Sequence, residues 1–266
     1  MPKKQVNGVN LYYELKGDGP PLAMIQGLGY SSKFWFNQVP ELKKHFQLIL
    51  FDNRDVGKSE MVGEQYEIED MARDARELLR ELGFNQVHLL GLSMGGYIAQ
   101  QLAAGWPGVV DKLILVSTHA GGPEYLEVTG DLWEEILDVE GLTEREIYRK
   151  GYKYSVSEDF FGDEEVIEKL VDMRVEDAQP ADAYQRQFQA ASGFDMTDRL
   201  DQIKSDTLII AGEEDRVVPT QFAGKLESDI PNSELVVMDN AAHLVHLERP
   251  DRLNSLITDY LSDKNA

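Results

Sequence analysis

Apolar residues recur in two patterns along the first half of the chain. Short apolar runs predict strands at 9–15, 22–25, 47–51, 87–90 and 113–116, and a hairpin turn at 6–9 predicts one more short strand before them. Longer segments predict helices, at 34–42 and most clearly at 67–82, where the apolar residues share one side. This alternation predicts an α/β fold with a mostly parallel twisted sheet and helices on both faces. In such sheets ligands bind beyond the carboxyl ends of the strands.

The alternation stops at the Gly-Gly-Pro sequence of 121–123. Four helical stretches and no strand pattern follow, at 131–139, 144–156, 163–176 and 181–190. Thr143 and Glu146 form a capping-box pattern before the second of these helices. Strand patterns return at 207–211 and 234–238. The sequence therefore predicts a core domain made of 1–120 and 199–266, with a helical domain, 121–198, inserted after the sixth strand.

A short glycine-rich segment, GLSMG at 91–95, connects the strand at 87–90 to a helical pattern at 97–104. A G-x-S-x-G sequence in this context is typical of a nucleophile elbow. The two glycines fit a turn too tight for side chains, and Ser93 would lie at the positive end of the helix. The alternative is a glycine-rich turn whose serine only caps the helix.

Two later strands end in loops that carry the partners a serine nucleophile needs. A base must take the serine proton, and an acid must orient that base. The loop after 207–211 contains Glu213, Glu214 and Asp215, and the loop after 234–238 contains His243. The acid precedes the base, which is the order Ser, acid, His. These residues predict a triad of Ser93, His243 and one of the three acids.

On these segments the chain resembles the α/β-hydrolase superfamily over nearly its whole length. The residues that carry the resemblance are QGLG at 26–29, FDNRDVGKS at 51–59, GLSMGG at 91–96, GEEDRVVP at 212–219 and AAHLVHLERP at 241–250. The pattern is most similar to small esterases, enol-lactone hydrolases and related cap-bearing hydrolases. The resemblance implies that Asp215 is the triad acid, that His243 rather than His246 is the base, and that the insertion is a cap over the nucleophile.

An oxyanion formed during attack on a carbonyl needs two preorganised hydrogen-bond donors. One expected donor is the backbone N–H of Met94, the residue after the nucleophile. The resemblance implies that the second is the backbone N–H of Leu28. Many members have histidine where this chain has Gln26. This difference is expected to affect the geometry of the loop rather than the mechanism.

Three further residues are candidates for the substrate pocket. Tyr30 and Trp35 lie near the expected oxyanion loop, and His119 follows the strand at 113–116. The alternative for His119 is a loop histidine at the start of the cap. Most aromatic residues of 121–198 are expected to pack this segment onto the core.

The composition excludes several classes of protein. The 266 residues include no cysteine, which excludes disulfides, thiol catalysis and cysteine-based metal sites. The histidine spacing shows no metal-ligand motif, so no metal is expected. A net charge of −22 argues against binding to nucleic acid or anionic membranes. No apolar run approaches the roughly 20 residues of a membrane helix, and the first eight residues lack the core of a secretory signal. A cytoplasmic location is expected.

The negative charge is concentrated in the predicted helical domain. Residues 121–198 contain 21 acidic and 7 basic side chains, a net charge of −14, which leaves −8 for the other residues. An acidic cap would disfavour strongly anionic substrates. The alternative is that these charges belong only to a solvated helical surface.

The predicted triad and the resemblance together indicate a serine hydrolase that needs no cofactor. The expected reaction is hydrolysis of a small-molecule ester or lactone through an acyl-enzyme. The alternatives are C–C bond hydrolysis, perhydrolysis or amide cleavage on the same triad, or a non-catalytic receptor-like role. The sequence leaves open whether the chain forms a homo-oligomer.

Overall fold

A single eight-stranded sheet forms the centre of the computed structural model, which describes residues 2–262. The strands are β1 (Lys3–Val6), β2 (Val9–Lys16), β3 (Pro21–Ile25), β4 (Gln47–Phe51), β5 (Val87–Leu92), β6 (Val110–Val116), β7 (Asp206–Gly212) and β8 (Ser233–Met238). Their order is β1-β2-β4-β3-β5-β6-β7-β8. Only the β1–β2 and β2–β4 pairs are antiparallel. The predicted mostly parallel sheet is confirmed.

The central strands are apolar on both faces because helices cover both sides of the sheet. Successive side chains of a strand point to opposite faces. In β3, Ala23 and Ile25 belong to one apolar cluster, and Leu22 and Met24 belong to another. All four side chains are fully buried.

The described part of the chain also contains eleven α-helices. They are α1 (Val39–Leu42), α2 (Ile68–Glu81), α3 (Met94–Gly105), α4 (Pro123–Leu137), α5 (Glu144–Ser155), α6 (Glu158–Phe161), α7 (Glu164–Glu176), α8 (Ala181–Ser192), α9 (Thr220–Asp229), α10 (Val245–Glu248) and α11 (Pro250–Ser262). Helices α2 and α3 pack on one face of the sheet, and α11 packs on the other. Among residues 2–262, no helix combines the length and the apolar character that crossing a membrane requires.

The prediction of a single helix over 34–42 is wrong. The structure has a 3₁₀ turn, Ser32–Trp35, and then the short helix α1. Pro40 explains the break, because a proline inside a helix removes one hydrogen bond and its ring clashes with the preceding turn. In α1 it occupies the first turn, where its missing N–H costs nothing.

Helices α4 to α8 form the helical insertion between β6 and β7. The predicted capping box is present, with the Thr143 backbone N–H donating to Glu146 at 2.8 Å. Helix α4 begins at Pro123, earlier than predicted, because the proline suits a first turn. An antiparallel bridge between Gly121 and Asp195 joins the two ends of the insertion. The division into two domains stays a prediction, and its extremes at positions 1 and 263–266 lie outside the described residues.

Candidate active site

Ser93 lies on the sharp turn between β5 and α3. Its φ is +54° and its ψ is −120°, a conformation that residues with a Cβ rarely adopt. A Cβ on Gly91 would overlap the carbonyl oxygen of Gly95, and one on Gly95 would overlap the carbonyl oxygen of Ile25. Both glycines are therefore required by close backbone contacts, as the sequence predicted.

The structure brings Ser93, His243 and Asp215 into one hydrogen-bonded chain. The Nε2 atom of His243 lies 3.0 Å from the Oγ of Ser93, and its Nδ1 lies 2.9 Å from Oδ2 of Asp215. The three residues follow β5, β8 and β7, so they meet at the carboxyl edge of the sheet. His243 and Asp215 are buried, whereas Glu213 and Glu214 are exposed.

The orientation of the Asp215 carboxylate is fixed by the loop that carries it. Its Oδ1 accepts the backbone N–H of Val218 at 2.7 Å, which leaves Oδ2 for the imidazole. Because each oxygen has its own hydrogen-bond partner, rotation of the carboxylate is restricted. This arrangement suits an acid that orients a base.

The loop after β3 lies directly against the serine. A Cβ on Gly27 would lie 3.2 Å from the Cβ of Ser93, so the two segments are in close contact. Leu28 and Met94 line the same pocket as Ser93. The Gln26 amide oxygen accepts the N–H of Gly27 at 3.2 Å. The glutamine therefore supports this loop, and the oxyanion roles of Leu28 and Met94 stay predictions.

Two helices of the insertion hold the same loop at Gly29. The backbone N–H of Gly29 donates to Oε1 of Gln187 at 3.1 Å, and its carbonyl oxygen accepts from the Arg174 guanidinium. Gln187 and Arg174 belong to α8 and α7 and are both buried. Sequence analysis did not identify them, because a buried polar residue of a helix gives no local signal of a distant partner.

A small apolar pocket of about 180 Å³ opens beside Ser93. It is lined by the core and the insertion together, and its larger side chains are Leu28, Met94, Tyr97, His119, Tyr125, Leu126, Trp133, Phe188, Phe194, Val217 and Val218. Of the predicted pocket residues, only His119 is among them. Tyr97 was missed, although its position four residues after Ser93 places it on the same side of α3.

Trp35 does not line the pocket, so its prediction is wrong. Its side chain is fully buried in the apolar cluster on the α11 face of the sheet. Its ring packs edge-on against His246, with centroids 5.4 Å apart. The 3₁₀ turn directs this large ring to the sheet, where its apolar surface is removed from water.

Tyr30 is also absent from the pocket lining. Gly29 has a φ of +74°, and the chain turns there toward the insertion. The Tyr30 ring contacts Phe34 at 4.8 Å between centroids and lies 4.2 Å from the Arg174 guanidinium. These contacts hold the ring between Phe34 and the insertion rather than beside Ser93.

His246, the other histidine of the C-terminal loop, does not contact Ser93. It lies fully buried on α10, and neither ring nitrogen has a hydrogen-bond partner within residues 2–262. Burial, with a smaller effect from His243, lowers the pKa of His246 to about 3. The geometry therefore favours His243 as the base.

Comparison with known proteins identifies the family. A family model described as alpha/beta hydrolase fold matches residues 20–250. The chain belongs to the α/β-hydrolase family.

Relatives of this α/β hydrolase differ in the substrates for which they are named. RutD of Agrobacterium fabrum, named as a carbamate hydrolase, is 26% identical over 262 residues, covering 94% of this chain and 98% of that protein. The 2-hydroxy-6-oxononadienedioate/2-hydroxy-6-oxononatrienedioate hydrolase 1 of Pseudomonas putida is 28% identical over 266 residues, covering 96% and 92%. The enol-lactonase of Burkholderia xenovorans LB400 has the same fold, with a TM-score of 0.88, 24% identity and coverage of 98% and 100%.

Glu248 connects the His243 loop of this hydrolase to the insertion. It is buried, and its Oε1 accepts the N–H of Ala242 at 2.9 Å, while its Oε2 accepts the N–H of Ser157 at 2.8 Å. Both oxygens of the carboxylate are thus used to fix the backbone beside His243. No local feature of the sequence indicates this role, because the partners of Glu248 include a residue 91 positions away.

The substitution Glu248→Gln is expected to lower the free energy of unfolding by about 1–3 kcal/mol, because one buried N–H would then face an amide donor. Urea denaturation measures the change. Glu227→Gln is the matched control, since this exposed glutamate accepts one backbone N–H, from Leu235, which the amide oxygen can still accept. Equal stability of the two variants would contradict this role for Glu248.

The burial of neutral His246 predicts a pH-dependent stability. The ordinary pKa of histidine is 6.5. As the pH falls below this value, His246 takes up a proton in the unfolded chain, whereas in the folded chain it stays neutral until about pH 3. Stability is therefore lost over that interval. In His246→Phe, the difference in unfolding free energy between about pH 8 and about pH 5 should shrink by about 2 kcal/mol. Denaturation at both pH values tests this, and an unchanged difference would contradict it.

Proposed function

We propose that this α/β hydrolase cleaves small carboxylic esters or lactones through an acyl-enzyme on Ser93. The observation that carries the proposal is the hydrogen-bonded chain from the Ser93 hydroxyl through His243 to Asp215, with distances of 3.0 Å and 2.9 Å. This chain lies beside an apolar pocket that can hold a small acyl or alcohol group. The arrangement is the one required for nucleophilic attack by an alcohol at neutral pH.

In the first half of the reaction, Nε2 of His243 takes the Ser93 proton as the hydroxyl oxygen attacks the carbonyl carbon. Asp215 holds the proton on Nδ1 and stabilises the imidazolium, without taking the proton itself. His243 then gives its proton to the leaving alcohol. In the second half, water attacks the acyl-enzyme by the same route and frees Ser93.

The backbone N–H groups of Leu28 and Met94 are the proposed donors to the oxyanion. Both residues line the pocket beside Ser93, and Met94 is the first residue of α3. The positive end of the helix favours negative charge at this point. Each such donor contributes about 2.7–4 kcal/mol to transition-state stabilisation.

A second candidate substrate class comes from the Pseudomonas putida relative, whose name specifies a dioate. A dicarboxylate calls for cationic partners in the pocket. No lysine or arginine is among the residues that line this pocket in the described chain, and the insertion has a net charge of −14. These observations favour an uncharged ester or lactone over a dicarboxylate.

The proposal is tested by labelling with a fluorophosphonate probe, followed by mass analysis and assays on nitrophenyl esters, simple lactones, a carbamate and a dioate. We expect one probe adduct, at Ser93, and turnover of an uncharged ester or lactone. The variant Ser93→Ala should lose both labelling and turnover. Labelling at another residue, or turnover of the dioate alone, would reject the proposed function.

The position of the acid gives a separate prediction. In Asp215→Asn the amide cannot hold the reactive imidazole tautomer, and kcat should fall by about 10⁴-fold. Glu214→Gln is the matched control, because this neighbouring carboxylate is exposed to solvent and the variant should keep nearly full activity. Steady-state assays compare the two. If Glu214→Gln loses activity and Asp215→Asn does not, Asp215 is not the triad acid.

A further inference from the structure

The polar side chains of the pocket wall are nearly all paired with protein acceptors. The indole N–H of Trp133 donates to the Tyr125 hydroxyl at 2.9 Å, and that hydroxyl donates to the carbonyl oxygen of Val217 at 3.0 Å. The Ser192 hydroxyl donates to the carbonyl oxygen of Phe188 at 2.8 Å. None of these hydrogens is available to a bound substrate.

His119 has its tautomer fixed by a neighbouring backbone group. The N–H of Gly121 donates to Nδ1 of His119 at 2.9 Å, so Nδ1 carries a lone pair. A neutral imidazole with an unprotonated Nδ1 carries its hydrogen on Nε2. Burial, and to a smaller extent His243, lowers the pKa of His119 to about 3, so the ring is neutral at ordinary pH.

The tautomer of His119 determines the hydrogen bond of Tyr97, because the Tyr97 hydroxyl is hydrogen-bonded to Nε2 of His119. Because Nε2 is the donor in this pair, the Tyr97 oxygen is the acceptor. The hydroxyl hydrogen of Tyr97 then has no acceptor within residues 2–262. Burial raises the pKa of Tyr97 well above its ordinary value, so this hydrogen is retained.

The two rings are also held by stacking. Phe194 stacks on Tyr97 with centroids 4.5 Å apart, and Tyr125 stacks on His119 at 3.5 Å. The donor is therefore oriented before any substrate binds. A preorganised donor in an apolar site discriminates strongly, because a ligand without an acceptor leaves the donor unpaired.

We propose that the Tyr97 hydroxyl donates a hydrogen bond to a second oxygen of the substrate. The pocket would thereby select esters or lactones whose bound group carries an uncharged acceptor, such as a ketone or ether oxygen. This inference rests on the proposed function, since it names the substrate class of the same site. The absence of lysine and arginine from the pocket lining of the described chain favours a neutral acceptor over a carboxylate.

The test compares nitrophenyl hexanoate with analogues in which a ketone replaces one methylene, one position at a time. A second series places the ketone on the alcohol side of an acetate ester. The readout is the ratio of kcat/KM between the ketone ester and its alkyl partner. We expect wild type to favour at least one ketone ester, and Tyr97→Phe to lower that ratio by about 10-fold.

Ser192→Ala is the matched control, because it removes a hydroxyl of the same wall whose hydrogen already goes to the carbonyl oxygen of Phe188. It should change both esters of a pair alike and leave the ratio as in wild type. Hydrolysis of the alkyl ester by Tyr97→Phe shows that the variant is folded. A ratio that Tyr97→Phe leaves unchanged at every ketone position would overturn the inference.

A binding measurement separates this inference from the proposed function. In Ser93→Ala protein, calorimetry compares the affinity for hexanamide with that for its ketone analogues, with and without Tyr97→Phe. We expect the added substitution to lower the ketone preference by the same factor. If wild type hydrolyses no ester but this preference is present, the proposed reaction fails and the donor role stands. If no preference exists, the donor role is wrong.

Discussion

The backbone conformation of Ser93 is the constraint on which the arrangement at this edge of the sheet depends. A φ of +54° costs free energy in a residue with a Cβ, and it persists only where the surroundings hold it. Here the Ser93 N–H donates to the carbonyl oxygen of Val116 at 2.9 Å, and Gly95 packs against the backbone of Ile25. With the turn fixed in this way, the Ser93 hydroxyl lies at the start of α3, within hydrogen-bond distance of His243.

The insertion supplies part of the pocket wall, and it also contacts two loops that lie beside Ser93. Gln187 and Arg174 bind the two backbone polar atoms of Gly29, next to the proposed donor Leu28. Glu248 joins Ser157 to the backbone that precedes His243. Each loop is thus held by polar contacts across an interface that buries them. Residues of the core and of the insertion therefore both position the loops of the site.

Much of this could be predicted because the signals are local. The glycines at 91 and 95 mark a turn that no other residue fits, and Asp215 and His243 each follow an apolar strand. The aromatic residues could not be assigned in this way. Trp35 packs on His246, and Tyr30 packs on Arg174. In each case a partner from a distant segment decides whether the ring faces the core or the pocket.

The sequence by itself determined the strands, the elbow and the order in which serine, acid and histidine follow their strands, since each depends on neighbours in the chain. The tertiary structure decided which side chains form the pocket wall and which of their hydrogens are free. The Tyr97 hydroxyl shows the difference. Its role as a donor depends on the tautomer of His119, and Gly121 sets that tautomer. Such a proton assignment depends on three-dimensional contacts, because tyrosine and histidine can each donate or accept a hydrogen bond.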